Sequence, residues 1–154
     1  MLRRKADTVK ATELRKPELQ QLFLDMVETM DDNDGIGLAA PQVNKSIQVA
    51  IIKTKEGALV LVNPKITRFS LRKELGEEGC LSIPGVYGTV KRSRNIRVHA
   101  LDKRGKRINF KAAGLFARVI QHEVDHLNGI LFIDKTVEIT MGKEKLESME
   151  KSKR

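Results

Sequence analysis

The sequence predicts an α+β protein in which hairpins form the middle of the chain and a helix is buried against their sheets. Three observations predict it. An apolar stripe over residues 17–30 has helical spacing. Two pairs of apolar or alternating runs, each pair joined by a short turn, lie between residues 46 and 112. A second helical stretch, 114–129, is apolar around much of its circumference, so it should pack inside the fold rather than on it.

In "PELQQLFLDMVETM" (17–30), Leu19, Leu22, Phe23, Met26, Val27 and Met30 recur at i, i+3, i+4, i+7 and line one face. Pro17 suits a first helical turn, and "DDNDG" ends the helix with turn chemistry. The Met and Phe stripe reads as core packing, not as a ligand box. "SIQVAIIK" (46–53) and "ALVLVNP" (58–64) flank "TKEG", which predicts one hairpin. "IRVHALD" and "KRINFKA" flank "KRG", which predicts another. The only cysteine lies between them. In "GLFARVIQHEVDHLNG" (114–129), Leu115, Val119, His122 and His126 fall on one helical line. Ile120, Val124 and Leu127 fill the neighbouring line, and Asn128-Gly129 supplies the stop. The length suits a single domain, placed at 1–140. Residues 141–154 form a charged tail, expected to be a solvated, fraying helix or a disordered end.

Composition narrows the class. The chain is 40% hydrophobic and 32% charged, without low-complexity segments, as in an ordinary globule. Twenty-nine Lys and Arg against 20 Asp and Glu give +9, which favours nucleic acid, ribosomes or other anionic surfaces, or else makes a solvated basic surface. Aromatic residues are 4% with no Trp, which argues against a base-stacking platform. One cysteine and no signal-peptide core predict a reducing, cytoplasmic location. No apolar run approaches the roughly 18 residues of a membrane span. The start is basic, but Asp7, Glu13 and the lack of Ser there argue against a transit peptide.

A lone thiol is a buried small hydrophobe, a nucleophile or a metal ligand. The histidines decide between these. "HEVDH" (122–126) puts His122 and His126 one turn apart on a helix, so both imidazoles can reach one ion. Glu123 can reach a water on that ion and act as general base. On a buried helix such groups need partners. A catalytic metal takes three protein ligands and an open position. The extended zinc-protease pattern fails, because Phe132 stands where its last His would be. Glu138, Glu144, Glu147 and Glu150 remain as downstream carboxylates, and His99 lies in a predicted strand. Cys80 is the natural third ligand, since a thiolate binds borderline metals strongly. A third segment, "GIGLAAPQV" (35–43), has neither phosphate-loop nor dinucleotide-turn spacing. It reads as a tight packing loop, whose Gln42 could donate to an oxyanion if it faced the metal.

Together "GIGLAAPQV", "EGCLSIPG" and "QHEVDHLNG" resemble, in order and spacing, the three signature motifs of peptide deformylases, and the resemblance spans about Leu2 to Asp134. It implies antiparallel β-sheets surrounding a central buried helix that carries the HExxH motif. It implies removal of the formyl group from N-formylmethionine on nascent polypeptides. Cys80, His122 and His126 would hold the metal, natively Fe²⁺, with Zn²⁺, Ni²⁺ or Co²⁺ as substitutes. Glu123 would be the general acid/base, and Gln42 with the Leu81 N–H would stabilise the oxyanion. Ile36, Leu115, Val119 and His122 would line the methionine pocket, and Gly37 would leave room for substrate backbone. Glu78 and Arg92 match a supporting ion pair, which as an ordinary surface pair would contribute little. The family carries a further short segment of the type "PDP.LR" ahead of "LRRKAD", so its first strand and turn are expected to be absent here, with no ligand lost. Asn44 stands where Gly is common.

Two other readings use the same residues. A zinc endopeptidase would share H-E-x-x-H but not need Cys80. A catalytically inactive, basic RNA- or ribosome-binding module would draw on the +9 charge. Ribosome contact through a basic surface or the tail is also compatible with an active deformylase.

Overall fold

The computed structural model describes every residue, Met1–Arg154. Eight strands and three helices form an α+β architecture of two antiparallel sheets. The first sheet has the order β1-β2-β3-β6-β7, from Gly37–Ala39, Val49–Thr54, Gly57–Phe69, Asn95–Leu101 and Arg107–Ala113. Both predicted hairpins are in it. In β2–β3, Thr54 faces Gly57 and the turn is Lys55-Glu56. In β6–β7, Leu101 faces Arg107. The second sheet, β4-β5-β8, uses Lys73–Cys80, Ile83–Ser93 and Thr136–Met141.

α1 (Pro17–Asp32) runs two residues beyond the predicted stripe, because Asp31 and Asp32 extend the last turn before Asn33 and Asp34 leave it. Its Phe23, Met26 and Met30 are buried against Val49, Ile51, Val60 and Val62, which confirms the stripe as core. Alternation sends the other side chains of these strands to the opposite face. There Ile52, Leu61, Ile96, Val98 and Ala112 pack against Ala117, Val119 and Ile120 of α2 (Gly114–Leu127). Gln121 fastens α2 to the second sheet: its Nε2 donates to Ser93 O at 2.9 Å and its Oε1 accepts from Ser93 N at 3.2 Å. A third cluster, Ile83, Val86, Val90, Leu131 and Phe132, fills the space beneath that sheet.

The end of the chain forms α3 (Lys143–Lys151). No residue in it is buried, as expected of a charged segment, yet Leu146 and Met149 pack against the third cluster. Two apolar residues three apart give it a docking side. At the other end, residues near Ala6 clasp the end of α2. Ala6 N donates to Leu127 O at 2.9 Å, and Gln48 Nε2 donates to both Ala6 O and Leu127 O at 3.0 Å. Gly129, at φ +76°, ends the helix as predicted, and a Cβ there would sit 2.7 Å from the Arg3 carbonyl oxygen. No helix is long and apolar enough to cross a membrane.

Candidate metal centre

Two elements converge on the site. α2 presents His122, Glu123 and His126, all buried, from its inner side. The β4–β5 hairpin presents Cys80 at its tip, where the strands are irregular around Leu81-Ser82. The ligand atoms of Cys80, His122 and His126 all lie within 4.8 Å of one another, and Cys80 Sγ is 3.2 Å from His126 Nε2. None of the downstream glutamates belongs to this group. The donor set, a thiolate with two imidazoles, suits Zn²⁺ or a neighbouring divalent ion. A second observation fits a metal here: Glu123 Oε2 is buried without a hydrogen-bond partner. Buried polar atoms left unpaired are costly, and the carboxylate oxygen is relieved by a water or ligand beside an ion.

Gln42 enters from the short 3₁₀ turn Ala40–Val43 that follows β1. Its Oε1 accepts from Ala39 N at 2.9 Å, which orients the amide. Its Nε2 then points at Cys80 Sγ (3.4 Å) and Ser82 Oγ (3.1 Å). Gln42 therefore faces Cys80, one of the three residues that could hold an ion. Gly37 lies against α2. A Cβ there would come 2.6 Å from Glu123 Oε1 and 2.8 Å from Val119 Cγ1, so the missing side chain makes room for Glu123. A cleft of about 560 Å³ opens beside these residues, and Ile36, Gly37, Leu81, Leu115 and Val119 all line it. Val119 is buried at its base, whereas Ile36 and Leu115 (67% exposed) stand at its rim.

The Glu78–Arg92 pair is not a surface pair: Glu78 is 7% and Arg92 4% exposed. Arg92 Nε and Nη2 hold the two carboxylate oxygens at 3.0 and 2.8 Å. Glu78 Oε1 also accepts from His122 Nδ1 at 2.8 Å, which leaves the other ring nitrogen of His122 to face the ligand cluster. Two partners were not legible beforehand. Arg118 Nη1 donates to Glu78 Oε2 at 2.7 Å and to Val90 O at 2.9 Å, while its Nη2 donates to Glu74 O at 2.7 Å. Asp125 pairs with Arg92 and with Lys135 Nζ. Nothing in the spacing of two more charged residues on α2 distinguishes them from solvated ones.

This network sets the charges. Burial raises Glu78, but Arg92 and His122 outweigh it and bring it to about 2. Burial lowers His122, yet Cys80 and Glu78 push it up to about 10. Burial, with repulsion from His122 and Arg92, takes His126 down to about 3. Burial raises Glu123 to about 7, against the pull of His122.

The polypeptide deformylase family model matches residues 1–141. A peptide deformylase of Dictyoglomus thermophilum is 43% identical over 93% of this chain and 96% of its own length. The crystal structure of a class I type b peptide deformylase from Acinetobacter baumannii with Met-Ala-Ser bound is 42% identical. It superposes with a TM-score of 0.83 over 87% of this chain and 91% of that one. The peptide deformylase of Thermotoga maritima gives 0.83 at 39% identity, over 88% of this chain and 90% of that one. With the family model, the relatives and the folds in agreement along nearly the whole sequence, the chain belongs to the polypeptide deformylase family.

Proposed function

We propose that this protein removes the formyl group from N-formylmethionine at the N-terminus of newly synthesised polypeptides, releasing formate, as a metal-dependent amide hydrolase. The observation that carries the reading is the meeting of three ligand atoms from two distant segments beside a buried carboxylate with an unpartnered oxygen. Residues 1–140 act as one catalytic domain with α2 as its central helix, and 141–154 follow as a charged tail. The protein works in the cytoplasm, and its basic surface or tail touches the ribosome from which its substrates emerge.

Cys80, His122 and His126 hold the ion, natively Fe²⁺, with Zn²⁺, Ni²⁺ or Co²⁺ able to replace it on the same donor set. An ion so held supplies Lewis acidity towards the formyl carbonyl and towards water. Glu123 takes the proton of the attacking water and delivers it to the leaving amine nitrogen. A carboxyl raised to about 7 both accepts and donates near neutral pH. Gln42 Nε2 and the Leu81 backbone N–H stabilise the charge that grows on the formyl oxygen. Gln42 would exchange its bond to Cys80 Sγ for a stronger, charge-assisted one. Ile36, Leu115, Val119 and His122 receive the methionine side chain, and the peptide runs past Gly37. The Acinetobacter relative holds a peptide that begins with Met, which supports this placement.

The test is formate release from a formyl-Met tripeptide by protein purified without oxygen and loaded with Fe²⁺ or Ni²⁺. Glu123→Ala should keep its metal and lose turnover. A metal-loaded wild type without turnover would refute the reading. Cys80→Ala should lose tight metal binding; retention would favour an endopeptidase-type ligand set.

A further inference from the structure

Gln42 can aim a donor only if both ends of its amide are held. At one end Oε1 accepts from Ala39 N at 2.9 Å, and Ala39 is fixed in the sheet opposite Ala50. That bond decides which end is oxygen and which is nitrogen. On its own it leaves the amide plane free to swing about the Oε1 contact.

At the other end Nε2 carries two hydrogens that diverge in the amide plane. They meet two acceptors, Ser82 Oγ at 3.1 Å and Cys80 Sγ at 3.4 Å. The two are unequal in chemistry, since a hydroxyl oxygen accepts well and sulfur weakly. They are unequal in place as well. Gln42, Cys80 and Leu81 line the cleft, whereas Ser82 stands outside its lining, behind Gln42. A formyl oxygen that enters the cleft therefore takes the hydrogen on the Cys80 side. The hydrogen on Ser82 stays where it is and fixes the amide plane.

Ser82 is built as an anchor. It is the second residue of the turn Leu81-Ser82 at the tip of the β4–β5 hairpin. On one side Leu81 rests on the loop after α1, with its Cδ1 3.3 Å from where a Cβ on Gly35 would stand. On the other, Ile83 is buried in the third apolar cluster. The backbone at Ser82 is thus held from both sides. Its hydroxyl has Gln42 as its hydrogen-bond partner and makes no bond to the neighbouring backbone, as a turn-forming serine would. Consecutive residues of one tip then carry the Cys80 thiol, the Leu81 N–H and the support for Gln42.

We propose that Ser82 is a positioning residue of the reaction: its hydroxyl keeps hold of one amide hydrogen of Gln42 throughout, so that the other meets the formyl oxygen in the amide plane. This rests on the reading of Gln42 as a donor to that oxygen. Removing such a donor outright lowers turnover by roughly 10²–10³, and one left in place but unaligned should lose on the order of tenfold.

The experiment measures formate release from a formyl-Met tripeptide by the metal-loaded full chain, for the wild type, Ser82→Ala, Gln42→Ala and the double variant. Ser82→Ala should lower kcat on the order of tenfold, with KM within about twofold and metal content full, because the donor strengthens only as charge develops. In the Gln42→Ala background the same change should alter kcat by less than about twofold, because Ser82 then has nothing to hold. A second readout needs no turnover. In NMR spectra of the isotope-labelled, metal-free protein, the Gln42 side-chain amide gives two proton signals, identified by their loss in Gln42→Ala. Ser82→Ala should shift one of them upfield and speed its exchange with solvent. Unmoved signals, a kcat within about twofold of wild type, or an equal loss with and without Gln42 would each overturn the proposal. A metal-loaded wild type that releases no formate would overturn the reading of the reaction and the catalytic role of Ser82 with it, while the NMR signals show separately whether Ser82 holds Gln42.

Discussion

Glu78→Gln isolates the support beneath the metal ligands. Both oxygens of Glu78 are fully committed: Oε1 accepts from Arg92 Nη2 and His122 Nδ1, and Oε2 from Arg92 Nε and Arg118 Nη1. A carboxamide keeps one acceptor and gains a donor. Turned towards Oε2, its NH₂ meets two guanidinium donors that cannot change role. Turned towards Oε1, it meets one guanidinium donor and an imidazole that can. The imidazole then shifts its proton to Nε2, the nitrogen the ion needs. Loss of such a partner typically weakens metal binding about 10- to 100-fold, or about 1.4 to 2.8 kcal/mol. Arg92 keeps Asp125, so the folding cost should fall short of the roughly 3–5 kcal/mol of a buried charge left alone. Competition with a chelator at pH 7.5 measures the affinity, and the thiolate-to-Co²⁺ absorption band shows whether Cys80 still binds. A folded Glu78→Gln protein whose metal affinity stays within twofold of wild type would refute the argument that Glu78 sets the His122 tautomer.

Below pH 4.5, where Glu123 is protonated both in the fold and out of it, acid should destabilise the metal-free protein through two groups of the same sign. Glu78, at about 2 in the fold and 4.5 outside it, contributes stability above pH 4.5 that is lost as pH falls towards 2. His126, at about 3 against 6.5, stays neutral in the fold while the unfolded chain takes up a proton, so its contribution is lost between pH 6.5 and 3. Between pH 4.5 and 3 the slope of stability against pH should exceed that of Glu78→Gln by one proton, about 1.4 kcal/mol per pH unit; equal slopes in urea titrations would contradict it. Gly37→Ala places a methyl 2.6 Å from Glu123 Oε1, and the shift needed to relieve it should lower kcat/KM on the order of 100-fold while metal content stays full. Arg118→Met removes the ties from α2 to Glu74 O and Val90 O, so it should weaken metal binding, with Arg118→Lys restoring part of it. No change in metal affinity would show that these ties do not support the ligands.

The parts of this fold that could be read from the sequence are those whose residues carry their own local signal. β2–β3 and β6–β7 pair Val- and Ile-rich runs across short turns, and α2 spaces two imidazoles by one helical turn. The β4–β5 hairpin carries no such signal. Its strands hold Gly76, Gly79 and several glutamates, and glycine has poor strand propensity. The reasons for those glycines are tertiary. A Cβ on Gly76 would strike the Arg118 guanidinium at 2.8 Å, and one on Gly79 would strike the Tyr87 ring at 2.6 Å. Likewise Cys80, Glu123 and Gln42 were legible as donor types, whereas the burial of Glu78 and Arg92 depends on how the hairpin lies on α2. The exposure of Leu115 at the cleft rim escaped the helical pattern for the same reason, since periodicity marks a face and not what covers it.

The clasp between the first residues and the end of α2 bears on how long an ion stays bound. The Ala6 amide, the Gln48 side chain and the backbone at Arg3 all close on the turn after His126. That turn cannot fray unless the opening segment of the chain lifts with it. Amide hydrogens at the two places should therefore exchange with solvent as one cooperative unit. The opening rate of residues some 120 positions away in sequence would then set the rate at which His126 can release its metal.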